Sequence, residues 1–295
     1  MLRRPFLALC CTWPMLAGAG TRMPAVSPGR ANTLIYPRHQ GEDDPHLEYV
    51  LALLQLALLR SGKAYALRSS DQRMVQTRAI REIELGTGSV DIVWTMTNRL
   101  REAQLLPVRI PLDRGLLGWR VALVGAAQPQ LLRQARTLAD LRTLSAGQMR
   151  DWPDTAILQD NGLRVETSSN YEGLFQQLAI GRIDYFPRSV IEAGQELASH
   201  AHLPLAIDAY LVMRYPAAMY FFVSKQRPQL ARDLETGLEK ALADGSFQQL
   251  FLQHFGKVVQ HLNLGQRRVL ELRNAGLPPE TPLHRKELWF NPSHF

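Results

Sequence analysis

The sequence predicts an α/β protein made of mixed sheets flanked by helices. Short β-prone runs alternate with amphipathic helical stretches from about residue 33 to 257, and glycines close most of the helical stretches. The chain is also large enough to bury a sizeable core, with 295 residues of which 46% are hydrophobic, in one large domain or two modest ones.

In order along the chain, residues 33–36 form a short strand closed by Pro37, and a polar loop runs through residue 44. Pro45 opens a helix that carries Leu47, Val50, Leu51, Leu54 and Leu58 on one face and stops at Gly62. A second strand covers residues 64–68, a helix spans 71–85 with Met74, Ile80 and Ile83 as its apolar stripe, and residues 90–94 form a buried strand. Residues 119–124 are the next strand, after the flexible Gly115 and Gly118. Short helices follow over 138–141 and 154–161, then a strand around Val165 and a helix capped by Asn170 and ended by Gly181. A strand at 183–186 leads to a helix over 189–197 started by Pro187, and residues 203–207 and 217–223 are strands. After Pro228 a long helix runs through Leu230, Leu234, Leu238 and Leu242; Gly245 breaks it, and Phe247, Leu250, Phe251 and Phe255 continue the stripe. A basic helix and a Pro-rich tail over 277–295 end the chain, and no internal repeat is visible.

Formal net charge is +7 and the isoelectric point is near 9.7, but the arginines are scattered and no basic block reaches five residues. This is a solvated basic surface and not a nucleic-acid interface. Residues 1–25 read as a signal peptide: Arg3 and Arg4, then an apolar stretch over 6–16, then Ala17-Gly18-Ala19 as the cleavage region. The apolar stretch is too short to cross a bilayer. Arg3-Arg4 also fits a twin-arginine leader, so the export route stays open between the two kinds of signal. Both cysteines, Cys10 and Cys11, lie in this segment, so cleavage near Ala19 leaves a chain without disulfides, which suits a bacterial periplasm.

The residues also exclude several chemistries. Thiol catalysis needs a cysteine that the mature chain lacks. Of the histidines only His200 and His202 are close in sequence, with no metal-ligand pattern around them, so no metal and no cofactor are expected. Neither a G-x-S-x-G elbow, a P-loop nor a G-x-G-x-x-G turn occurs. Glu42-Asp43-Asp44 reads as a solvated acidic loop.

Four stretches carry a family resemblance. Gly88-Ser89-Val90-Asp91-Ile92-Val93 is similar to a "G-x-v-D-x-i" strand, and Gly181-Arg182-Ile183-Asp184 repeats the theme. Thr95-Met96-Thr97, Arg101-Glu102 and residues 107–112 resemble an "m-T-x-x-R…P" segment, and residues 238–256 look like a closing helix pair. Together they resemble, over residues 33–257, a divergent subgroup of the family 3 periplasmic solute-binding proteins of polar amino-acid ABC transporters. The resemblance implies a two-lobe (type II) fold with a mixed sheet in each lobe and two hinge crossings, near Leu117-Gly118 and Tyr215-Pro216. It places lobe 1 at 33–117 plus 217–295 and lobe 2 at 118–216. It also implies a monomer that captures a small polar or anionic solute, a membrane permease or sensor as partner, and no enzymatic activity. Two other readings of the fold remain: a scaffold or signalling protein without a solute site, and a cleft enzyme of the dehydratase or peptidoglycan lyase type.

Within the resemblance Arg101 matches the arginine that grips a ligand carboxylate, as guanidinium geometry allows, against the alternative of a surface pair with Glu102. Thr95 and Thr97 would support the same carboxylate or satisfy local backbone, and Tyr36 ends the first strand as a platform or as core. The second lobe departs from the family. Residues 145–151 replace the usual carboxylate loop, Trp152 is a stacking or rim residue, and Arg188 stands near the place of an ammonium-binding acid. Convergence of Arg101, Arg188 and Arg38 would favour an anionic solute, while Asp184 is either a strand-end cap or a ligand contact.

Overall fold

A computed structural model describes residues 32–38 and 47–291. The leader over 1–25, with Cys10, Cys11 and Ala19, and the acidic Glu42-Asp43-Asp44 loop lie outside the described residues. The elements follow the predicted α/β rhythm: β1 (Asn32–Arg38), α1 (Leu47–Ser61), β2 (Tyr65–Arg73), α2 (Gln76–Leu85), β3 (Ile92–Met96), α3 (Arg99–Gln104), β4 (Leu106–Val108) and β5 (Trp119–Gly125). Then come β6 (Ser145–Met149), α4 (Pro153–Asp160), β7 (Arg164–Ser168), α5 (Tyr171–Ala179), β8 (Tyr185–Ser189), α6 (Ala193–Ser199), β9 (Leu205–Ile207) and β10 (Leu211–Arg214). The chain ends with β11 (Met219–Val223), α7 (Pro228–Ala243), α8 (Ser246–His261) and β12 (Arg268–Glu271).

Two bodies of sheet result. In the first, β1 pairs in parallel with β2, β11 lies antiparallel between β3 and β4, and the Asp91 amide joins β3 to β1 through the Ile35 carbonyl at 2.8 Å. In the second, the order is β12-β10-β5-β8-β6-β7, with β9 also on β5. The chain passes from β4 into β5 through a single 3-10 turn, Leu116–Gly118, and returns between β10 and β11. At Gly118 an added β-carbon would collide with the Tyr215 carbonyl, so the two connections touch backbone to backbone.

The first body owes its cohesion to α1, α7 and α8. Val50, Leu53, Leu54 and Ala57 face Leu234, Leu238, Phe247 and Phe251, all fully or almost fully buried, and each such Leu or Phe contributes about 2 kcal/mol over an exposed position. Gly237 of α7 lies against the Ala57 carbonyl with no room for a β-carbon, which sets the close helix crossing.

Several expectations need correction. The helix expected over 189–197 begins at Ala193, and Pro187 sits inside β8 opposite Ala122. A strand proline is tolerated there because β6 meets β8 only at Tyr185, so beyond that point no ladder bond to β6 is lost. The helix expected from residue 71 starts at Gln76, since β2 continues to Arg73. The stretch 138–141 is a 3-10 turn. The tail, expected wholly with the first lobe, places β12 in the second sheet, parallel to β10.

Candidate functional site

The starts of α3 and α4, on the two bodies, lie within electrostatic reach of each other: Asp154 and Asp151 act on Arg101. Arg101 belongs to α3, whose start is capped by the Asn98 side chain accepting the Arg101 amide at 2.8 Å. Its guanidinium donates from Nη1 to the Met96 carbonyl at 2.6 Å and from Nη2 to Gln76 Oε1 at 2.8 Å. It is 8% exposed, and no carboxylate stands within ion-pair distance of it among the described residues. Burial pushes its pKa down to about 10, while the charges of Asp154 and Asp151, at the start of α4 in the other body, pull it back up. The side chain is therefore a buried cation at neutral pH, oriented by neutral acceptors. The alternative of a surface pair with Glu102 fails, because Glu102 pairs with Arg109.

The threonines serve this arrangement unequally. Thr97 is buried, its amide donates to the Ala218 carbonyl at 2.8 Å and its hydroxyl donates to Glu102 Oε1 at 2.7 Å, so it braces the turn into α3. Thr95 is buried on β3 opposite Tyr220. Tyr36, half-buried at the end of β1, lies 6.3 Å from the Trp94 ring, which sequence reasoning had placed only as strand core. Arg38 is exposed, lies opposite Arg73 in the β1–β2 ladder and donates to the carbonyl of Asp71, which pairs with Arg68, so it does not converge with Arg101 and Arg188.

On the second body Trp152 precedes α4. Its ring stacks with Phe186 at 6.4 Å and lies 6.0 Å from Tyr171, with the Arg188 guanidinium 4.6 Å from its centre. Arg188 is not available to an anion. It donates to both oxygens of Glu196, at 2.7 and 2.5 Å, and reaches Glu192 at 3.0 Å, while Tyr171 donates to Glu196 at 2.6 Å. Burial works against that charge, but Glu192 and Glu196 outweigh it and raise the pKa well above the ordinary arginine value. The three-arginine anion site expected from the sequence does not form. Asp184 is likewise no cleft residue. It accepts the Ser145 amide at 2.7 Å and the Ser145 hydroxyl at 2.9 Å, pinning the starts of β6 and β8.

Sequence reasoning missed a second buried cluster. Arg120, at the start of β5, reaches Asp154 at 2.5 Å and Glu192 at 3.4 Å and donates from Nε to the Tyr215 hydroxyl at 2.9 Å; that hydroxyl in turn donates to Asp154. Its pKa is raised: burial opposes the charge, and Asp154, Tyr215 and Glu192 prevail. The available signal was an arginine inside the apolar run Trp119-Arg120-Val121-Ala122-Leu123. Across this wall two guanidinium groups, Arg120 and Arg188, face three carboxylates, Asp154, Glu192 and Glu196, which leaves one negative charge in excess. Asp154 and Asp151, at the start of α4, act electrostatically on Arg101, which has no carboxylate within ion-pair distance among the described residues. Among the described residues, no group of three or more His, Cys, Asp or Glu could hold a metal ion, and no helix is long and apolar enough to cross a membrane.

No protein-family model matches the chain, and no curated protein matches it. Solved structures do. An ancestral arginine-binding protein bound to arginine superposes with a TM-score of 0.56 at 16% identity, over 77% of this chain and 98% of that one. The periplasmic VFT2 domain of Bordetella pertussis BvgS gives 0.56 at 18% identity, over 75% of this chain and 93% of the domain. The arginine-, lysine-, histidine-binding protein ArtJ of Geobacillus stearothermophilus gives 0.54 at 11% identity, over 77% and 96%. At these identities the likeness shows the fold: a two-lobe α/β architecture shared with periplasmic amino-acid-binding proteins, the fold that the family 3 resemblance implies.

Proposed function

We propose that this chain is a solute-binding protein that closes its two lobes over a small zwitterionic, amino-acid-like solute. The observation that carries the reading is Arg101, a buried guanidinium without a carboxylate partner among the described residues, within electrostatic reach of Asp154 and Asp151 on the other body, where three carboxylates face two guanidinium groups. The solute carboxylate would take a forked pair of hydrogen bonds from Arg101, and its ammonium would face Asp151 and the net negative charge of the Asp154, Glu192 and Glu196 cluster. In a gap shielded from water these charge-assisted bonds are stronger than at the surface. Tyr36 and Trp94 on one side, and Trp152 and Tyr171 on the other, would flank the rest of the solute. A dicarboxylate fits this charge pattern poorly, because Arg188 already has two carboxylates of its own.

The lobes are taken as 33–117 plus 217–267 and 118–216 plus the β12 strand, with the hinge at Gly118 and Tyr215-Pro216. The leader over 1–25 would export the chain to the periplasm with cleavage near Ala19, and a permease or a sensor would receive the loaded form. The fold neighbours are binding proteins, and the buried carboxylates here are engaged by guanidinium groups, which supports binding over catalysis.

Titration calorimetry of the purified protein against the L-amino acids and against succinate and malate tests the reading. Binding of at least one amino acid, lost in Arg101→Met, is the expected result. Tight binding of a dicarboxylate with no amino acid bound overturns it.

A further inference from the structure

After α8 the chain leaves the first lobe, joins the second sheet and then comes back. On the outward path Leu264 is buried in an apolar cluster that runs through both lobes, while Arg267 donates to the Leu262 carbonyl at 2.7 Å and also to the Asp208 carbonyl in the second lobe. β12 then runs beside β10, from Arg268 opposite Leu211 to Glu271 opposite Arg214, and the Arg268 guanidinium donates to the Ala135 carbonyl. The return is short. Asn161, at the end of α4, clasps Arg273: its Nδ2 donates to the Arg273 carbonyl at 2.7 Å, and the Arg273 amide donates to its Oδ1 at 3.0 Å. Asn274 Nδ2 donates to the Pro216 carbonyl at 2.9 Å, inside the hinge itself. The Gly276 carbonyl accepts the Arg99 amide at 3.3 Å, in the first turn of the helix that carries Arg101.

The remainder is fastened to the first lobe, with one ring contact to the start of β5 in the second. Arg285 donates to both carboxylate oxygens of Glu239 on α7, at 2.5 and 3.0 Å. Trp289 lies against Gly115, leaving no room there for a β-carbon. The Phe290 amide donates to the Arg114 carbonyl at 2.7 Å, and its ring meets Trp119 edge-on at 5.3 Å.

We infer that residues 262–291 form a strap that adds two crossings to the two of the hinge, limits how far the lobes part and favours the closed cleft. A clamshell with two adjoining connections turns freely about them. Here positions 273 and 276 are fixed to opposite lobes, and three peptide steps reach about 10 Å at full extension. Separating the anchors beyond that reach breaks the Asn161 clasp or the Arg99–Gly276 bond. Leu270 and Leu272 of the strap share a buried cluster with Met96, whose carbonyl orients Arg101, so the strap and the carboxylate grip are packed as one unit. The inference rests on the solute-binding reading only where affinity is the measured quantity; the lobe geometry is tested without any solute.

Spin labels at Leu100→Cys and Arg150→Cys, both exposed, report the lobe separation, with Cys10→Ser and Cys11→Ser so that only the labels react. Two strap variants are compared with the full chain: a flexible Gly/Ser insertion between Asn274 and Ala275, which slackens the return while leaving both anchors in place, and Asn161→Ala, which removes the clasp alone. The intact chain should show one short distance without solute. The slackened chain should show a second, longer distance, with the open-to-closed ratio raised roughly tenfold, because opening no longer has to break one or two hydrogen bonds. Affinity for L-arginine, L-glutamine or whichever amino acid binds should fall only in proportion to the closed fraction that remains, by less than about twofold while the closed form still predominates. An unchanged distance distribution in a slackened chain that still melts cooperatively overturns the inference. If the insertion disturbs folding, Asn161→Ala decides by the same distances. If no amino acid binds, the solute reading fails while the label distances still decide the strap.

Discussion

The Arg101 guanidinium holds the fold at a disadvantage that a solute would relieve, and replacing it measures both quantities. Moving its pKa from 12.5 to about 10 means that the folded state disfavours the charged form by about 3 kcal/mol. The sign is unambiguous, because at every pH below about 10 the side chain is charged and the cost is present. Its bonds to the Met96 carbonyl and the Gln76 amide offset about 2 kcal/mol. Arg101→Met, similar in length and uncharged, should therefore stabilise the empty protein by about 1 kcal/mol, a rise in Tm of about 3 °C for a chain of this size. The same change removes a forked, charge-assisted pair from the solute and should weaken binding by about 2–4 kcal/mol, roughly 30- to 1000-fold. Thermal melts with and without each amino acid, together with calorimetry, read both effects. A variant whose melting point drops by several degrees would show that the guanidinium is a strut. A variant that binds within threefold of the parent would refute the carboxylate grip.

Three other perturbations address the supports of the cleft. Glu196→Gln leaves Arg188 with Glu192 alone in a buried setting and should cost about 3 kcal/mol in chemical denaturation; a loss under 1 kcal/mol would mean the pair is wet. Gly118→Ala forces a β-carbon onto the Tyr215 carbonyl and should cost about 3 kcal/mol, read as a lowered Tm, and an unchanged Tm would contradict the backbone contact at the hinge. Asp208 accepts the Tyr210 and Leu211 amides, yet burial raises its carboxyl pKa above the ordinary aspartate value. A raised carboxyl favours the fold while protonated and loses that contribution as pH climbs through the raised value. Urea melts from roughly pH 4 to 7 should therefore show Asp208→Asn gaining on the parent as pH rises; a parallel profile would remove the burial argument.

Much of the scaffold was legible because it rests on local rules. The stripe of α1, the break at Gly245 and the phenylalanines of α8 all follow helical period and glycine termination, and the structure places them as read. Arg101 and Tyr36 were legible as helix-start and strand-end residues: Arg101 lies in the first turn of α3, and Tyr36 lies on β1 beside the Trp94 ring. What failed was long-range. Arg188 looked like a free cation because its counter-charges, Glu192 and Glu196, lie on the next turn and helix, and only the bend at Val190 to Glu192 turns them back onto it. For Asp184 the sequence left a strand-end cap and a ligand contact open, and the structure places it as the cap, accepting the Ser145 amide and hydroxyl. Pro187 was taken for a helix start because its usual role is local, whereas its tolerance inside β8 depends on where β6 stops pairing. β12 is four residues long with charged ends, too short for any period to show.

That late strand also bears on how the molecule is assembled. During synthesis β5 through β10 are available well before β12, and until β12 emerges the flank of β10 offers unpaired amides and carbonyls to any passing strand. The second sheet therefore cannot mature as an independent unit, since its last member arrives only after α7 and α8 have been made. Unfolding should accordingly take both sheets in one cooperative transition, and a chain halted before Arg268 should be prone to aggregate even though every residue of the cleft is present.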